Sequence, residues 1–311
     1  MASFKTYYEI MRVGELFKIV DKMTPPQFEK VKRYIFIGCG SSYNAGLIIS
    51  EIMRKNGYYA DAITAGEILV KNLSEEIAEK YDLAFLISRT GYTTETVKVA
   101  ELLNGRIQTV GVTCDRKTPL ANVCDLAYEL DFAHEDSVIM TGSFSAVVRL
   151  FLNGIKRIDI DVGEVLKKFD EMTSDDIVRK RNHFVFLGYG VRYYIAKESA
   201  LKVQELSLDY TEYHETLEYR HGPIALLSPN SHVVIFSEFK NPSPLEDDLA
   251  KDIMSRGAST QIITSFTADF DFDVQVLNLY SQLLGYKRAI HKGLNPDKPH
   301  GLTKFVSLKE V

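Results

Sequence analysis

Short apolar runs alternate with amphipathic stretches along this chain. Tyr34 to Ile37, Leu83 to Ser88 and Thr109 to Thr113 are runs of strand length, rich in β-branched and aromatic residues. Between them, the spacing of apolar positions predicts a helix from Ser42 to Asn56 and another from Thr93. The strands YIFIG, LAFLIS and TVGVT are apolar on both faces, which predicts a parallel sheet covered by helices on two sides. The expected fold class is α/β, a doubly wound, flavodoxin-like three-layer arrangement.

The pattern then repeats. YIFIGCG, ending at Gly40, is echoed by HFVFLGYG, ending at Gly190, and each is followed by a helical stretch. A glutamate follows in each half (Glu67, Glu218), then a strand ending in serine (Ser88, Ser237). Order kept over so many features predicts a tandem duplication. Residues 1–157 are expected to hold an N-terminal helix and the first domain, and residues 158–311 the second domain and a C-terminal tail, with the charged helical stretch Asp159 to Arg181 as the hinge.

Composition narrows the function class. The 311 residues are 45% hydrophobic and 25% charged, enough for a substantial core in about two domains. A net charge of −5 and a pI near 5.9 give no global reason to bind nucleic acid or an anionic membrane, so the expected partner is a small molecule held locally. No run approaches the roughly 18 apolar residues of a membrane span. The three cysteines, Cys39, Cys114 and Cys124, lack zinc-site spacing and cannot all pair, which predicts a reducing, cytoplasmic setting and no metal.

Candidate chemistry lies where buried strands end and helices begin. At Gly38-Cys39-Gly40-Ser41-Ser42, glycines let backbone approach a ligand, and free N–H groups with the helix dipole favour an anion. The third glycine of a dinucleotide fingerprint is absent, since Tyr43 stands there, and no GxxxxGK[ST] loop occurs. Ser88-Arg89-Thr90-Gly91-Tyr92-Thr93-Thr94 ends a second strand and adds hydroxyls and a guanidinium. Both stretches should face one crevice outside the carboxyl ends of the strands, a cradle suited to a phosphate monoester. On spacing alone, Lys202 and Glu205 are also read as an ordinary exposed i,i+3 ion pair, and His221 before Gly222-Pro223 as a turn residue.

These stretches resemble the sugar isomerase (SIS) domain family, whose phosphate loops look like CG[TS]S and S-x-[ST]-G-x-T. Here they read CGSSY and SRTGYTTET. Within the family the likeness is to the isomerase part of glucosamine-6-phosphate synthases and to standalone glucosamine-6-phosphate deaminases, over nearly the whole chain. The resemblance implies that Ser41, Ser42, Ser88, Arg89, Thr90 and Thr93 bind the phosphate of a hexose 6-phosphate, with Arg89 in place of a glutamine. Ala200-Leu201-Lys202-Val203-Gln204-Glu205 matches the A-L-K-x-K-E segment, which implies Glu205 as the catalytic base with Lys202 beside it. Tyr219-Arg220-His221-Gly222-Pro223 matches E-x-[KR]-H-G-P, which implies that His221 opens the sugar ring and enters a neighbouring subunit's site in a homodimer. The closing segment from Gly293 implies that Lys304 holds the open-chain sugar or forms an imine with it.

Glu135 to Ser145 resembles the E-S-V-V-M-T-x-S-F-T of the deaminases more than the synthase pattern, and no glutaminase region precedes the first half. The expected activity is deamination of glucosamine 6-phosphate to fructose 6-phosphate without metal or cofactor. The alternatives are another aldose-ketose isomerase, a glutaminase-lacking synthase, or a phosphosugar sensor without catalysis.

Overall fold

A computed structural model describes residues 4–308. They divide into two compact units, one of Glu15–Arg157 with 303–308, the other of 4–14 with Ile158–Leu302. Each half of the sequence forms most of one unit, but the termini change sides: the first helix belongs with the second half, and the tail with the first.

In the first-half unit, β1 (Arg33–Gly38), β2 (Tyr59–Thr64), β3 (Leu83–Ile87), β4 (Gln108–Thr113) and β5 (Leu126–Glu129) form one parallel sheet in the order β2-β1-β3-β4-β5. The central strands are buried along nearly their whole length, as their uninterrupted apolar sequences require. One face carries Ile35, Ile37, Leu86, Val99 and Leu103 in a single core. Toward the other face Phe36, Phe85 and Phe151 pack ring to ring, with centroids 4.9–5.3 Å apart. The Ser41–Lys55 helix packs on β1 and β2.

The second-half unit repeats this plan with β6 (His183–Gly188), β7 (Tyr210–His214), β8 (Ser231–Phe236) and β9 (Ser259–Ile263), ordered β7-β6-β8-β9 and all parallel. Strand for strand this is the first sheet without β5, as a duplication predicts. Both orders place the topological switch between the first and third strands of the unit, where ligands of such sheets bind. The Leu279–His291 helix packs along the Val191–Ser207 helix, and close approach is built in: a Cβ on Gly285 would lie 3.0 Å from Leu206 Cδ1. The Lys5–Met11 helix is tied to this unit through Asp297, which accepts from the Lys5 and Thr6 N–H groups and the Thr6 hydroxyl. Among the described residues, no helix is long and apolar enough to cross a membrane.

His232 of β8 is fully buried, with Nδ1 2.8 Å from Ser259 Oγ and Nε2 3.0 Å from the Tyr280 hydroxyl. Burial first, and the Arg181 charge second, push its pKa down to about 3. The unfolded chain therefore takes up this proton below about pH 6.5 and the folded chain does not. The stability it contributes is complete above that pH and is lost as pH falls, with a limiting slope of about 1.4 kcal/mol per pH unit. In urea unfolding from pH 6.5 to 4.5 the pH dependence of stability is expected to be steeper in the wild type than in His232→Gln, by up to that slope.

Candidate active site

The two stretches expected to cradle a phosphate lie side by side in the first-half unit. β1 ends at Gly38, where an added Cβ would lie 2.9 Å from the Ser42 carbonyl carbon and 3.0 Å from the Ile87 oxygen, so only glycine lets the two strand ends and the helix start meet. Gly40 has φ 53° and no side chain caps the helix behind it, which leaves Ser41 and Ser42 on its first turn, both largely buried. After β3, the Gly91 N–H donates to the Ser88 oxygen (3.0 Å) and to Ser88 Oγ (3.2 Å), and Ser88 Oγ donates to Thr93 Oγ1 at 3.2 Å. The Tyr92 N–H donates to Thr90 Oγ1 at 3.3 Å. Ser41, Ser42, Ser88, Thr90 and Thr93 thus stand at the ends of adjacent strands, on the switch point of one sheet.

Arg89 is the exception. It was expected to bind phosphate, but its guanidinium is buried and turned into the protein: Nη1 lies 3.3 Å from Glu135 Oε2 and 3.3 Å from the Ser137 oxygen, and Nη2 donates to the Val138 oxygen at 2.7 Å. A buried guanidinium needs such partners, because a charge left unpaired out of water is costly.

Lys304 reaches the same unit. Its Nζ donates to the main-chain oxygen of Glu135 at 2.9 Å. The tail around it lies on the start of the Thr94–Leu103 helix: the Thr94 N–H donates to the Val306 oxygen (3.2 Å), the Leu308 N–H donates to Thr94 Oγ1 (3.1 Å), and the Phe305 and Tyr92 rings are 5.6 Å apart.

In the second-half unit the Val191–Ser207 helix carries Lys202 and Glu205. The exposed-pair expectation fails, since the Lys202 side chain is 1% exposed and Glu205 23%. Lys202 Nζ donates to Glu205 Oε2 at 2.5 Å and lies 3.6 Å from Glu198 Oε1, itself fully buried. One buried cation is shared by two carboxylates at i−4 and i+3. Glu198 was missed from the sequence, where its only signal was that spacing. The helix ends at Leu208, φ 54°, and Lys292 Nζ donates to the Ser207 oxygen at 2.6 Å. Asp209 accepts from Arg288 Nε and Nη2 at 2.8 and 2.7 Å. Burial alone would raise the Asp209 carboxyl, but the hydrogen bonds from Arg288, Ser207 and Lys292 outweigh it and hold the group below the usual range. These bonds anchor the C-terminal end of the helix that carries Glu205.

His221 is exposed on the loop after β7. That loop is anchored on both sides of it, by buried Tyr219 and by Arg220, which donates to Asp252 at 2.9 and 2.6 Å. Beneath it, His183 and His214 lie 2.7 and 2.8 Å from Glu212, and these hydrogen bonds hold its carboxyl down to about 2.

The second unit keeps the backbone of the cradle but not its chemistry. Gly190 repeats the conformation of Gly40 (φ 51°, ψ −128° against φ 53°, ψ −126°). Two residues on, Arg192 stands where the first half has Ser42, and it pairs with Asp273 at 3.0 Å. Ser237 Oγ donates to Glu246 Oε2 at 2.9 Å, and the Ser243 N–H donates to the same oxygen at 2.7 Å. At this strand end a carboxylate of the chain itself takes the donors.

The SIS domain model matches residues 27–152 and 177–270, one region in each half. The glutamine–fructose-6-phosphate aminotransferase of Sulfolobus acidocaldarius is 25% identical over 317 residues, covering 94% of this chain and 52% of that protein. The chain spans about half the length of the curated relatives it matches. Among solved structures, glucosamine-6-phosphate deaminase from Thermotoga maritima is 31% identical with a TM-score of 0.84, covering 98% of this chain and all of that one. Tagatose-6-phosphate ketose/aldose isomerase from Escherichia coli, at 20% identity and a TM-score of 0.74, shares the fold. Two matched regions, two parallel sheets of one strand order and a relative aligned from end to end lead to one conclusion: the chain belongs to the SIS domain family, with a copy of the domain in each half.

Proposed function

We propose that the chain is an amino-sugar phosphate isomerase and deaminase, converting glucosamine 6-phosphate and water to fructose 6-phosphate and ammonia. The observation that carries this reading is the half-buried Glu205, oriented by a buried lysine that is shared with Glu198. The likeness to a deaminase over the full length of both chains supports the choice of substrate.

Ser41, Ser42, Ser88, Thr90 and Thr93 take the phosphate through hydroxyls and helix-terminal N–H groups. His221 opens the pyranose ring by moving a proton between O5 and O1. Glu205 removes the proton from C2 of the open aldose, giving an enolamine, and returns it to C1, leaving an imine at C2. Water adds to that imine and ammonia departs, which gives the ketose. Lys304 holds the open-chain sugar or exchanges with the C2 imine before hydrolysis. The active unit in this reading is a homodimer in which exposed His221 serves a neighbouring copy.

The deciding assay incubates the wild-type protein with glucosamine 6-phosphate and follows ammonia and fructose 6-phosphate together. Equal amounts of both are expected. Ketose formation from a neutral sugar phosphate without ammonia release from the amino sugar would move the reading to a simple isomerase. Ligand-induced stabilisation without any product would move it to a sensor.

A further inference from the structure

Glu135 has more bonds than a helix cap needs. Its side chain is fully buried and accepts from the Thr141 N–H (3.0 Å), the Thr141 hydroxyl (2.6 Å), the Ser143 N–H (3.2 Å) and the Ser143 hydroxyl, all at the start of the Gly142–Leu152 helix. Those four donors already satisfy a carboxylate at a helix N-terminus. Arg89 is added to them at 3.3 Å, although a buried ion pair is a poor source of net stability.

The pair has a position, however, that a cap does not explain. Arg89 lies in the phosphate loop, between Ser88 and Thr90. Its other two hydrogen bonds go to Ser137 and Val138, so the guanidinium straps that loop to the segment beginning at Glu135. The main-chain oxygen of Glu135 receives Lys304 Nζ. Three pieces of chain distant in sequence, the phosphate loop, the segment 135–138 and the tail, thus meet at one residue.

We infer that Glu135 is a positioning residue, which acts through Arg89 to hold the phosphate loop and Lys304 in a single register. This rests on the phosphosugar reading of those loops. It also accounts for Arg89 where the family pattern has glutamine: its charge serves Glu135 and the geometry of the loop, leaving the phosphate to hydroxyls and N–H groups.

A double-mutant cycle tests the inference. Fructose 6-phosphate binding is measured by calorimetry for the wild type, Glu135→Gln, Arg89→Gln and the double variant, with thermal midpoints alongside. Each single substitution is expected to weaken binding about tenfold, and the double variant to bind no more than about twofold worse than either single. Removing both charges together also avoids an unpaired buried ion, so the double variant stays folded even where a single does not. If neither single folds, a double variant about tenfold weaker than wild type supports the inference and one of wild-type affinity overturns it. Folded singles with lowered midpoints but unchanged affinity make Glu135 a cap only and overturn it. Losses that multiply to about a hundredfold overturn it as well, because residues acting as a unit do not add. A wild type that binds neither fructose 6-phosphate nor glucosamine 6-phosphate sinks the phosphosugar reading itself, and the inference with it, an outcome distinct from failure of the cycle.

Discussion

Glu205→Gln is expected to lower kcat for glucosamine 6-phosphate about a thousandfold and leave KM within about threefold of the wild type, within the 10²–10⁴ range of a general base. The substitution keeps shape and an oxygen that accepts from Lys202, so the 2.5 Å contact has a successor. What is lost is the ability to take a proton from carbon. Lys202 keeps Glu198 at 3.6 Å, and the replaced group was already partly solvated, so the fold should survive. The proposed phosphate-binding residues lie in the other unit, which is why binding should persist. Ammonia release at saturating substrate, with calorimetric binding beside it, separates the two quantities. A folded variant that keeps more than a tenth of wild-type turnover removes Glu205 from the chemistry.

Gly91→Ala should have the opposite signature, loss of binding rather than of chemistry. Gly91 has φ 69°, and an added Cβ would lie 2.2 Å from Thr118 Oγ1 and 2.4 Å from Thr118 Cβ. Thr118 has little freedom to yield, because its hydroxyl accepts from the Ala121 N–H at 3.2 Å as the cap of the Pro119–Val123 helix. The loop has to move instead, taking with it the Gly91 N–H that holds Ser88 and the Gly91 oxygen that accepts from Leu120. Left-handed backbone and overpacking together should cost about 2–5 kcal/mol of stability. The dissociation constant for fructose 6-phosphate should rise about a hundredfold, since the oriented hydroxyls of Ser88 and Thr93 are displaced together. Gly105→Ala is the control: its φ is 75°, yet nothing lies within 4 Å of an added Cβ. It should show the smaller conformational penalty, about 1–2 kcal/mol, and unchanged binding. Equal affinity in the two variants would mean that the Ser88–Thr93 loop does not hold the ligand.

The parts of the fold legible in the sequence are those where burial and backbone chemistry are local. Strands β1, β3 and β4 are covered on both faces, so YIFIG, LAFLIS and TVGVT are apolar apart from serine and threonine at their ends and carry no charge. Their ends were marked by glycine and serine because a strand-to-helix turn needs freedom of φ and polar side chains within a few residues. Edge strands were not legible in the same way. YADAIT in β2 and YTEYH in β7 are mostly half-exposed, and a strand paired on one side tolerates mixed residues. The direction of a long side chain was equally hidden: Arg89 sits in a phosphate-loop motif, and only the segment at 135–138 gives its guanidinium a better place than the crevice.

By itself, then, the sequence determined the α/β class, the duplication, the two strand-to-helix turns at Gly38 and Ser88, and the helix spacing of Lys202 and Glu205. These depend on patterns within a few turns of chain, where periodicity and propensity act. Tertiary structure alone decided that Lys202 is buried between Glu198 and Glu205, that the first helix belongs with the second half through Asp297, and that Lys304 comes to rest on the oxygen of Glu135. Each of these joins residues whose partners lie on another element or whose burial is set by one. A local pattern specifies the polarity of a side chain, and the packing of distant segments specifies which partner is near enough to satisfy it.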